Sequence, residues 1–234
     1  MAHRRVFVSG LLGLAVAGGS AAVIAGQHRL RVASQLLFDP VPLPPDASDD
    51  RFAEAEPWAA KLIAGAIGQI GVTTIYDPAY VTIGYPGGDV PSERGVCTDV
   101  VVRAFRKGLG IDLQKRVHED MRRDFAAYPK LWGLNKPDRN IGHRRVPNLA
   151  TYFRRQGAGL AISANARDYR PGDIVTQVLP GRLAHIVVVS DRPSADGQRP
   201  LAIHNIGAGA RLEDVLFAFD ITGHYRFSGA ASAT

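Results

Sequence analysis

The spacing of apolar residues changes near residue 171, and this change limits the fold more than any other feature of the 234-residue chain. Before residue 171, apolar residues recur at every third or fourth position, which is typical of helices that bury one face. After it, short β-prone segments alternate with turns, which is typical of strands that follow one another in a sheet. Helices packed on an antiparallel sheet make an α+β fold. We therefore expect a single α+β domain over residues 51–234.

The individual elements follow from periodicity and from turn residues. Helices are predicted from Pro57, from Cys97 to a limit set by Gly108 and Gly110, at His118–Ala127 and at Pro147–Arg155. Strands are predicted at Val72–Tyr76, Tyr80–Tyr85, Ile174–Leu179, His185–Ser190, Leu201–Ile206 and His224–Phe227. The stretch 128–145 contains Pro, Gly and Asn and is expected to be an ordered surface loop.

The N-terminus has the pattern of an export signal. Arg4 and Arg5 precede an apolar run, residues 6–26, that contains no charged side chain. The arginine pair is similar to the twin-arginine signal, and the run is also long enough to remain in a bilayer as a signal anchor. We expect residues 1–25 to be such a signal or anchor and residues 26–50, which are rich in proline, to be a linker. Both alternatives place the domain in the periplasm or outside the cell, with membrane contact only through the N-terminal anchor.

The basic residues are concentrated in the middle of the chain, where residues 103–155 hold 14 basic and 5 acidic side chains. They can form an anion-binding face, or they can be solvated arginines on the outer faces of helices. Nucleic acid is not an expected partner, because the chain carries an export signal and has no basic motif interleaved with aromatic residues. Peptidoglycan or another anionic envelope polymer is the expected partner.

Cys97 is the only cysteine of the chain, which excludes an internal disulfide and a multi-cysteine zinc site. It stands at the predicted start of a helix, where free backbone N–H groups favour a thiolate. We therefore expect a lowered pKa and a nucleophilic role. The same N–H groups can bind the oxyanion of an acyl-transfer intermediate. The alternative is a small cysteine buried in the core.

Two histidines occupy neighbouring predicted strands. If the strands form an antiparallel pair with an odd register sum, such as 389 or 391, His185 and His204 lie on the same face. A base and an orienting group that face a thiol at a helix start make the layout of a Cys–His hydrolase. Taken one at a time, each histidine is better explained as a strand-end residue or a residue of the core.

The order of these residues resembles that of the NlpC-type cell-wall cysteine peptidases, which are papain-like enzymes. Their motifs are Asp-Cys-Ser-Gly at a helix start, Gly-Asp-Leu-Val, His-Val-Gly-Ile and a polar residue in a strand like Ile-His-Ala. The counterparts are Val96-Cys97-Thr98-Asp99, Gly172-Asp173-Ile174-Val175, His185-Ile186-Val187-Val188 and Ile203-His204-Asn205. The resemblance implies a papain-like fold with N-terminal helices on an antiparallel sheet. It also implies catalytic roles for Cys97, His185 and His204.

A closer resemblance covers residues 85–227. Its features are Tyr85-Pro86-Gly87-Gly88-Asp89, Gly95-Val96-Cys97-Thr98-Asp99, His143-Arg144-Arg145-Val146-Pro147-Asn148-Leu149, Ile203-His204-Asn205-Ile206-Gly207 and Thr222-Gly223-His224-Tyr225. These motifs are similar to those of the bacterial domain of unknown function family 1287. With both resemblances in view, Asp99, Tyr85 and Asn205 are the candidate substrate contacts.

The remaining polar residues are expected to have mainly structural roles. Asp99 can cap the helix of Cys97 as well as bind a substrate amine, and Asn205 is a reserve orienting group for the base. Asp173 follows Pro-Gly and is expected in a turn. His143 and His224 are expected to be packing or surface residues.

These observations favour an exported cysteine hydrolase that cleaves an amide in envelope peptide, most plausibly in peptidoglycan stems. The alternative is a non-catalytic binding module of the cell envelope on the same fold. A metallohydrolase built on His185, His204 and a carboxylate is disfavoured, because no His-Glu-x-x-His or similar ligand spacing is present. We expect a monomer with neither cofactor nor metal.

Overall fold

The computed structural model describes residues 54–229, so the export signal and the linker predicted for residues 1–50 lie outside the described residues. Within that range the chain forms an α+β fold with four α-helices. They are α1 (Pro57–Ile67), α2 (Cys97–Leu109), α3 (Leu113–Arg123) and α4 (Val146–Arg155). Eight strands accompany them: β1 (Ile75–Tyr76), β2 (Arg94–Gly95), β3 (Gly159–Leu160), β4 (Ile174–Leu179), β5 (Leu183–Pro193), β6 (Pro200–His204), β7 (Arg211–Glu213) and β8 (Asp220–Tyr225).

Six of the strands form one antiparallel sheet in the order β3-β8-β4-β5-β6-β7. Strand β5 lies in the middle of this sheet and is the longest strand, which gives it neighbours on both sides. The two remaining strands, β1 and β2, form a small parallel pair that sets Tyr76 opposite Gly95. This pair ends just before α2, so it fixes the direction in which the chain enters that helix.

The two faces of the large sheet are buried against different parts of the chain. Ile186, Val188 and Ile203 pack with the apolar faces of α1, α2 and α4 in the main core. Val187 and Ala202 point to the other side, where Tyr169 and the segment 215–216 cover them. Because side chains alternate along a strand, His185 shares a face with Val187, and His204 shares a face with Ala202.

Helices α1 and α2 lie unusually close together because two glycines face the partner helix. A Cβ atom at Gly108 would lie 2.3 Å from the carbonyl oxygen of Lys61, and one at Gly65 would lie 2.8 Å from that of Ala104. Gly108 is therefore part of the helix interface rather than a helix limit. Helix α2 ends at Leu109, and Gly110, which follows it, adopts the left-handed conformation at φ 66°.

Several predicted boundaries are wrong, each for a local reason. Helix α3 starts at Leu113 because Asp112 caps it by accepting from the N–H of Gln114, and Phe125–Ala127 forms a separate 3-10 turn. The predicted strand Tyr80–Tyr85 does not form, because its backbone binds side chains. The N–H of Ile83 donates to Asn140, and the carbonyl of Gly84 accepts from Gln114. Strand β7 was not predicted. Among residues 54–229, no helix is long and apolar enough to cross a membrane.

Candidate active site

Cys97 is the first residue of α2, as the sequence predicts, and its surroundings hold the helix start in place. The carboxylate of Asp99 accepts from the N–H of Val96 at 2.7 Å, which closes the first turn. The amide of Asn205 donates to the carbonyl of Gly95 at 3.1 Å and so ties the end of β6 to the chain just before Cys97. Both contacts place the thiol at the meeting point of α2 and the sheet.

The Cys97 sulfur is surrounded by backbone donors. The N–H of Ile186 in β5 donates to it, as do the N–H groups of Cys97 and Thr98 at the start of the helix. Cys97 keeps only 4% of its surface exposed. The residue that follows His185 thus contacts the sulfur directly.

Burial raises the pKa of the Cys97 thiol to about 12, and the N–H of Ile186 opposes this only in part. The expectation of a lowered pKa is therefore wrong for this resting state. The helix start does supply hydrogen-bond donors. However, loss of hydration destabilises the thiolate by more free energy than these hydrogen bonds stabilise it. At neutral pH the sulfur is a thiol.

His185, His204 and Glu213 form a buried chain of hydrogen bonds across three strands. The β5–β6 register pairs Val188 with Ile203, which gives the sum 391 and confirms the odd register. The Nε2 atom of His185 lies 3.0 Å from Nδ1 of His204, and Nε2 of His204 lies 2.9 Å from Oε2 of Glu213. The prediction that one nitrogen of His185 faces His204 is confirmed. The distance from the other nitrogen to Cys97 stays a prediction.

The chain of bonds assigns a tautomer to each imidazole. Burial, together with the neighbouring His204, lowers the pKa of His185 well below its usual value, so this ring is neutral. The Glu213 carboxylate can only accept, so His204 donates from Nε2, and with His204 neutral its Nδ1 accepts from His185. This arrangement leaves Nδ1 of His185 unprotonated and able to accept a proton.

A groove of about 230 Å³ opens beside Cys97. Ala184, the residue before His185, lines it, so both chain neighbours of His185 contact the site of the thiol. Its walls include Tyr76, Trp132, Arg144, Arg145 and Pro147. Burial raises the pKa of Tyr76, and the negative charge of a Cys97 thiolate adds to this, which places the phenol near the sulfur. Cys97 and Ala184 therefore line the groove, whereas the side chain of His185 does not.

The family model for "Domain of unknown function (DUF1287)" matches residues 63–227, which contain every site residue named above. This chain belongs to the DUF1287 family. A protein of Escherichia coli (strain K12) with the description "Uncharacterized protein YijF" is 60% identical over 163 residues. The aligned region covers 70% of this chain and 78% of that protein.

In this DUF1287 domain, none of the three expected substrate contacts, Asp99, Tyr85 and Asn205, lines the groove. Asp99 keeps 3% of its surface exposed, and its two oxygens bind the Arg144 guanidinium at 2.9 Å. The geometry therefore favours its capping role over a substrate contact. Asn205 is fully buried and binds backbone on both sides, at Gly95 and Gly207. It supports the loop before Cys97 and does not orient the base.

Tyr85 lies outside the groove and packs its ring edge against His118, with the ring centroids 5.0 Å apart. Its assignment as a groove residue is corrected, because the segment that carries it is attached to α3 through Gln114. The tyrosine that lines the groove is Tyr76, which the β1–β2 pair holds beside Gly95.

Four functional candidates escaped the sequence reasoning: Glu213, Arg144, Tyr76 and Trp132. Glu213 had a weak signal, because it lies nine residues after His204 on a short strand of its own. Arg144 lies in the motif at residues 143–149, but no sequence pattern pairs it with Asp99, which is 45 residues away in the chain. Within residues 54–229, no group of three or more His, Cys, Asp or Glu side chains is arranged to hold a metal ion.

Proposed function

We propose that this protein is an exported cysteine hydrolase that cleaves an amide bond in envelope peptide, with peptidoglycan stems as the substrate class. The observation that carries the proposal is the relay His185–His204–Glu213, whose first residue lies between Ala184 at the groove and Ile186 at the sulfur. A relay of this kind has a chemical use only if something gives a proton to its free end. We assign that role to the thiol of Cys97, because its sulfur accepts from the N–H of Ile186, the residue next to His185 in β5.

The proposed reaction begins with the neutral pair. Nδ1 of His185 accepts the thiol proton while the sulfur attacks the substrate carbonyl, so no free thiolate is needed in the resting enzyme. The imidazolium that forms is stabilised through His204 by the Glu213 carboxylate. It then gives its proton to the leaving amine, and the C–N bond breaks. A water molecule, deprotonated by His185, hydrolyses the thioester and restores the thiol.

The oxyanion of each tetrahedral intermediate needs donors close to the sulfur. The backbone N–H groups at the start of α2 already point toward the sulfur. These N–H groups can donate to a substrate oxygen that lies beside the sulfur. The phenol of Tyr76, whose high pKa keeps its proton in place, can add a further donor. Cys97, His185 and His204 are thus proposed as the catalytic residues, supported by Glu213.

The proposal also includes a papain-like architecture and export from the cytoplasm. A helix that begins at a cysteine and packs on an antiparallel sheet with histidines in adjacent strands supports a papain-like, NlpC-type architecture. The arginine pair at residues 4–5 supports export to the periplasm or the cell exterior. Changing Arg4 and Arg5 to lysine should block export by the twin-arginine route, since that route reads the arginines themselves. Undiminished export of the lysine variant would contradict that route.

A second candidate is a binding module that retains this fold without turnover. The raised pKa of the Cys97 thiol favours it, because a neutral buried thiol is a poor nucleophile unless a base acts on it. The hydrolase and the binding module differ in one observable result: only the hydrolase releases fragments of its substrate.

The deciding experiment incubates the purified protein with isolated sacculi and identifies released fragments by mass spectrometry. We expect fragments from the unaltered protein and none from the Cys97→Ala or His185→Ala variants. His118→Gln is the matched control, because His118 is a partly buried histidine on α3 that lies outside the groove. Fragment release that survives Cys97→Ala would contradict a cysteine mechanism. Binding of sacculi without any release would support the binding module.

A further inference from the structure

Two consecutive arginines line the groove, and only one of them has an ionic partner. Arg144 is buried and binds Asp99 through two N–H···O bonds, and it also donates to the carbonyls of Ala79 and Asp77. Its charge is therefore balanced inside the fold. Arg145 forms no side-chain hydrogen bond or salt bridge with any residue in the range 54–229.

The position of Arg145 is nevertheless well defined. Its guanidinium carbon lies 4.0 Å from the centre of the Trp132 ring, so the planar group is stacked on the indole. Its Nη1 atom is buried and has no hydrogen-bond partner. Asp138 is the acidic side chain whose charge acts on it, but the oxygens of Asp138 already accept from the phenol of Tyr80 and the N–H of Asn140. A buried N–H without an acceptor is costly unless a ligand provides one.

The groove beside Cys97 contains no acidic side chain among the described residues that line it, whereas a smaller cavity that Arg145 and Trp132 also line includes Asp138. Since Asp99 neutralises Arg144, one net positive charge remains beside Cys97. A guanidinium stacked on one face presents its edge, and that edge matches the two oxygens of a carboxylate. The other walls, which include Tyr76, Pro78 and Pro147, suit the uncharged parts of a peptide.

We propose that Arg145, held against Trp132, binds a free carboxylate of the peptide whose amide lies at Cys97, and so makes the enzyme selective for acidic peptides. This inference rests on the proposed function, because the carboxylate belongs to the same substrate. Peptides whose carboxylates are amidated are then poor ligands. Arg145 acts as a specificity-determining residue and takes no part in the bond-breaking steps.

The test measures binding separately from cleavage. The protein carries Cys97→Ala to prevent turnover and Trp58→Phe so that Trp132 is the only tryptophan and reports binding by its fluorescence. One probe is a peptidoglycan stem tetrapeptide with free carboxylates, and the other is the same peptide with its carboxylates converted to carboxamides. Because charge-assisted hydrogen bonds are worth about 1.5–3 kcal/mol, we expect the free acid to bind at least about tenfold more tightly.

Two Arg145 variants and one control variant then decide the role of this residue. Arg145→Gln should weaken binding of the free acid at least about tenfold and leave the carboxamide peptide within about twofold. Arg145→Lys should keep part of the preference, because it keeps the charge and loses the planar edge. Arg139→Gln is the control, since it removes an exposed arginine of the same segment that does not line the groove, and it should change neither value.

The outcomes separate this inference from the proposed function. An unchanged preference for the free acid in Arg145→Gln, or no binding of the free acid at all, would overturn the role of Arg145. Cleavage of stem peptides by the protein with Cys97 intact would then still support the hydrolase. A preference that depends on Arg145, found together with no cleavage, would support the carboxylate site and count against the hydrolase. Melting temperatures of the variants establish that each one is folded.

Discussion

The sheet contains two buried histidine–carboxylate pairs, and their surroundings differ. In one pair, His204 binds Glu213 on β7 through one ring nitrogen and His185 through the other. In the other, His224 on β8 binds Asp173 at 2.7 Å. All of these side chains are nearly or fully buried.

The pair on β8 is closed on every side. His224 also contacts the carbonyl of Ala161 and stacks on Tyr169 at 4.3 Å between ring centres. The Asp173 carboxylate accepts two further bonds from Arg226 and one from the N–H of Arg170. Both nitrogens of His224 and both oxygens of Asp173 are used within the fold, so the role of this cluster is to hold β4 and β8 to the loop between α4 and β4.

The pair on β6 and β7 is open at one end. Its last member, His185, has one nitrogen bound to His204, and the tautomer leaves the other as a free acceptor. The difference is that the hydrogen bonds of the β8 pair end within the fold, whereas those of the β6–β7 pair leave one imidazole nitrogen of His185 unused.

Replacing Cys97 by alanine removes the group that the open pair is proposed to serve. We expect hydrolysis of stem peptides to fall about a thousandfold or more, because Cys97 is the proposed nucleophile. The free energy of unfolding should fall by less than about 1 kcal/mol, since only one sulfur atom is removed from the core. Peptide release and urea unfolding measure the two effects. A larger stability loss with unchanged hydrolysis would make Cys97 a core residue.

Replacing Glu213 by glutamine keeps the shape of the open pair and removes its charge. The glutamine amide can donate to His204 and reverse the tautomers, so we expect kcat/KM to fall about a hundredfold. The melting temperature should change by only a few degrees, because hydrogen bonding at this position is retained. Steady-state kinetics and thermal unfolding provide the readouts. Full activity in this variant would show that the relay ends at His204.

Replacing Asp173 by asparagine makes the same change in the closed pair and should have the opposite consequence. Arg226 and His224 lose their common acceptor inside the fold, so we expect a loss of about 3 kcal/mol in the free energy of unfolding. Activity measured well below the melting temperature should stay within twofold, because this cluster is part of the scaffold only. Chemical denaturation tests the first value. A collapse of activity in a folded Asp173→Asn variant would erase the distinction between the two pairs.

The rate of Cys97 alkylation by iodoacetamide should rise with pH. Burial raises the thiol pKa to about 12, so the thiolate fraction grows about tenfold per pH unit between pH 7 and pH 9. A group whose folded pKa lies above the working range loses its proton only as the pH rises toward it, which fixes the sign of the trend. Mass spectrometry of the labelled protein measures the rate. Fast labelling that does not change with pH below 7 would instead indicate a resting thiolate–imidazolium pair.

The local pattern of the sequence was enough to place the main catalytic candidates. The apolar spacing and Gly95 predict a helix that begins at Cys97, and the helix does begin there. Strand alternation predicts that His185 and His204 share a face once the register sum is odd, and the observed pairs Val188–Ile203 and Val189–Ala202 have such a sum. Periodicity works here because it depends on which side of one element is buried, and neighbouring residues carry that information.

The tertiary structure alone decided the partners and the ionisation of these residues. From the sequence, Asp99 is consistent with both a helix cap and a substrate ligand, and only the fold places Arg144 beside it. Glu213 belongs to the relay only because β7 lies next to β6. The helix start at Cys97 suggests a low thiol pKa, but the groups that remove the sulfur from water come from distant segments such as β5. Desolvation depends on every atom packed around a group, whereas a sequence pattern reports only its neighbours along the chain.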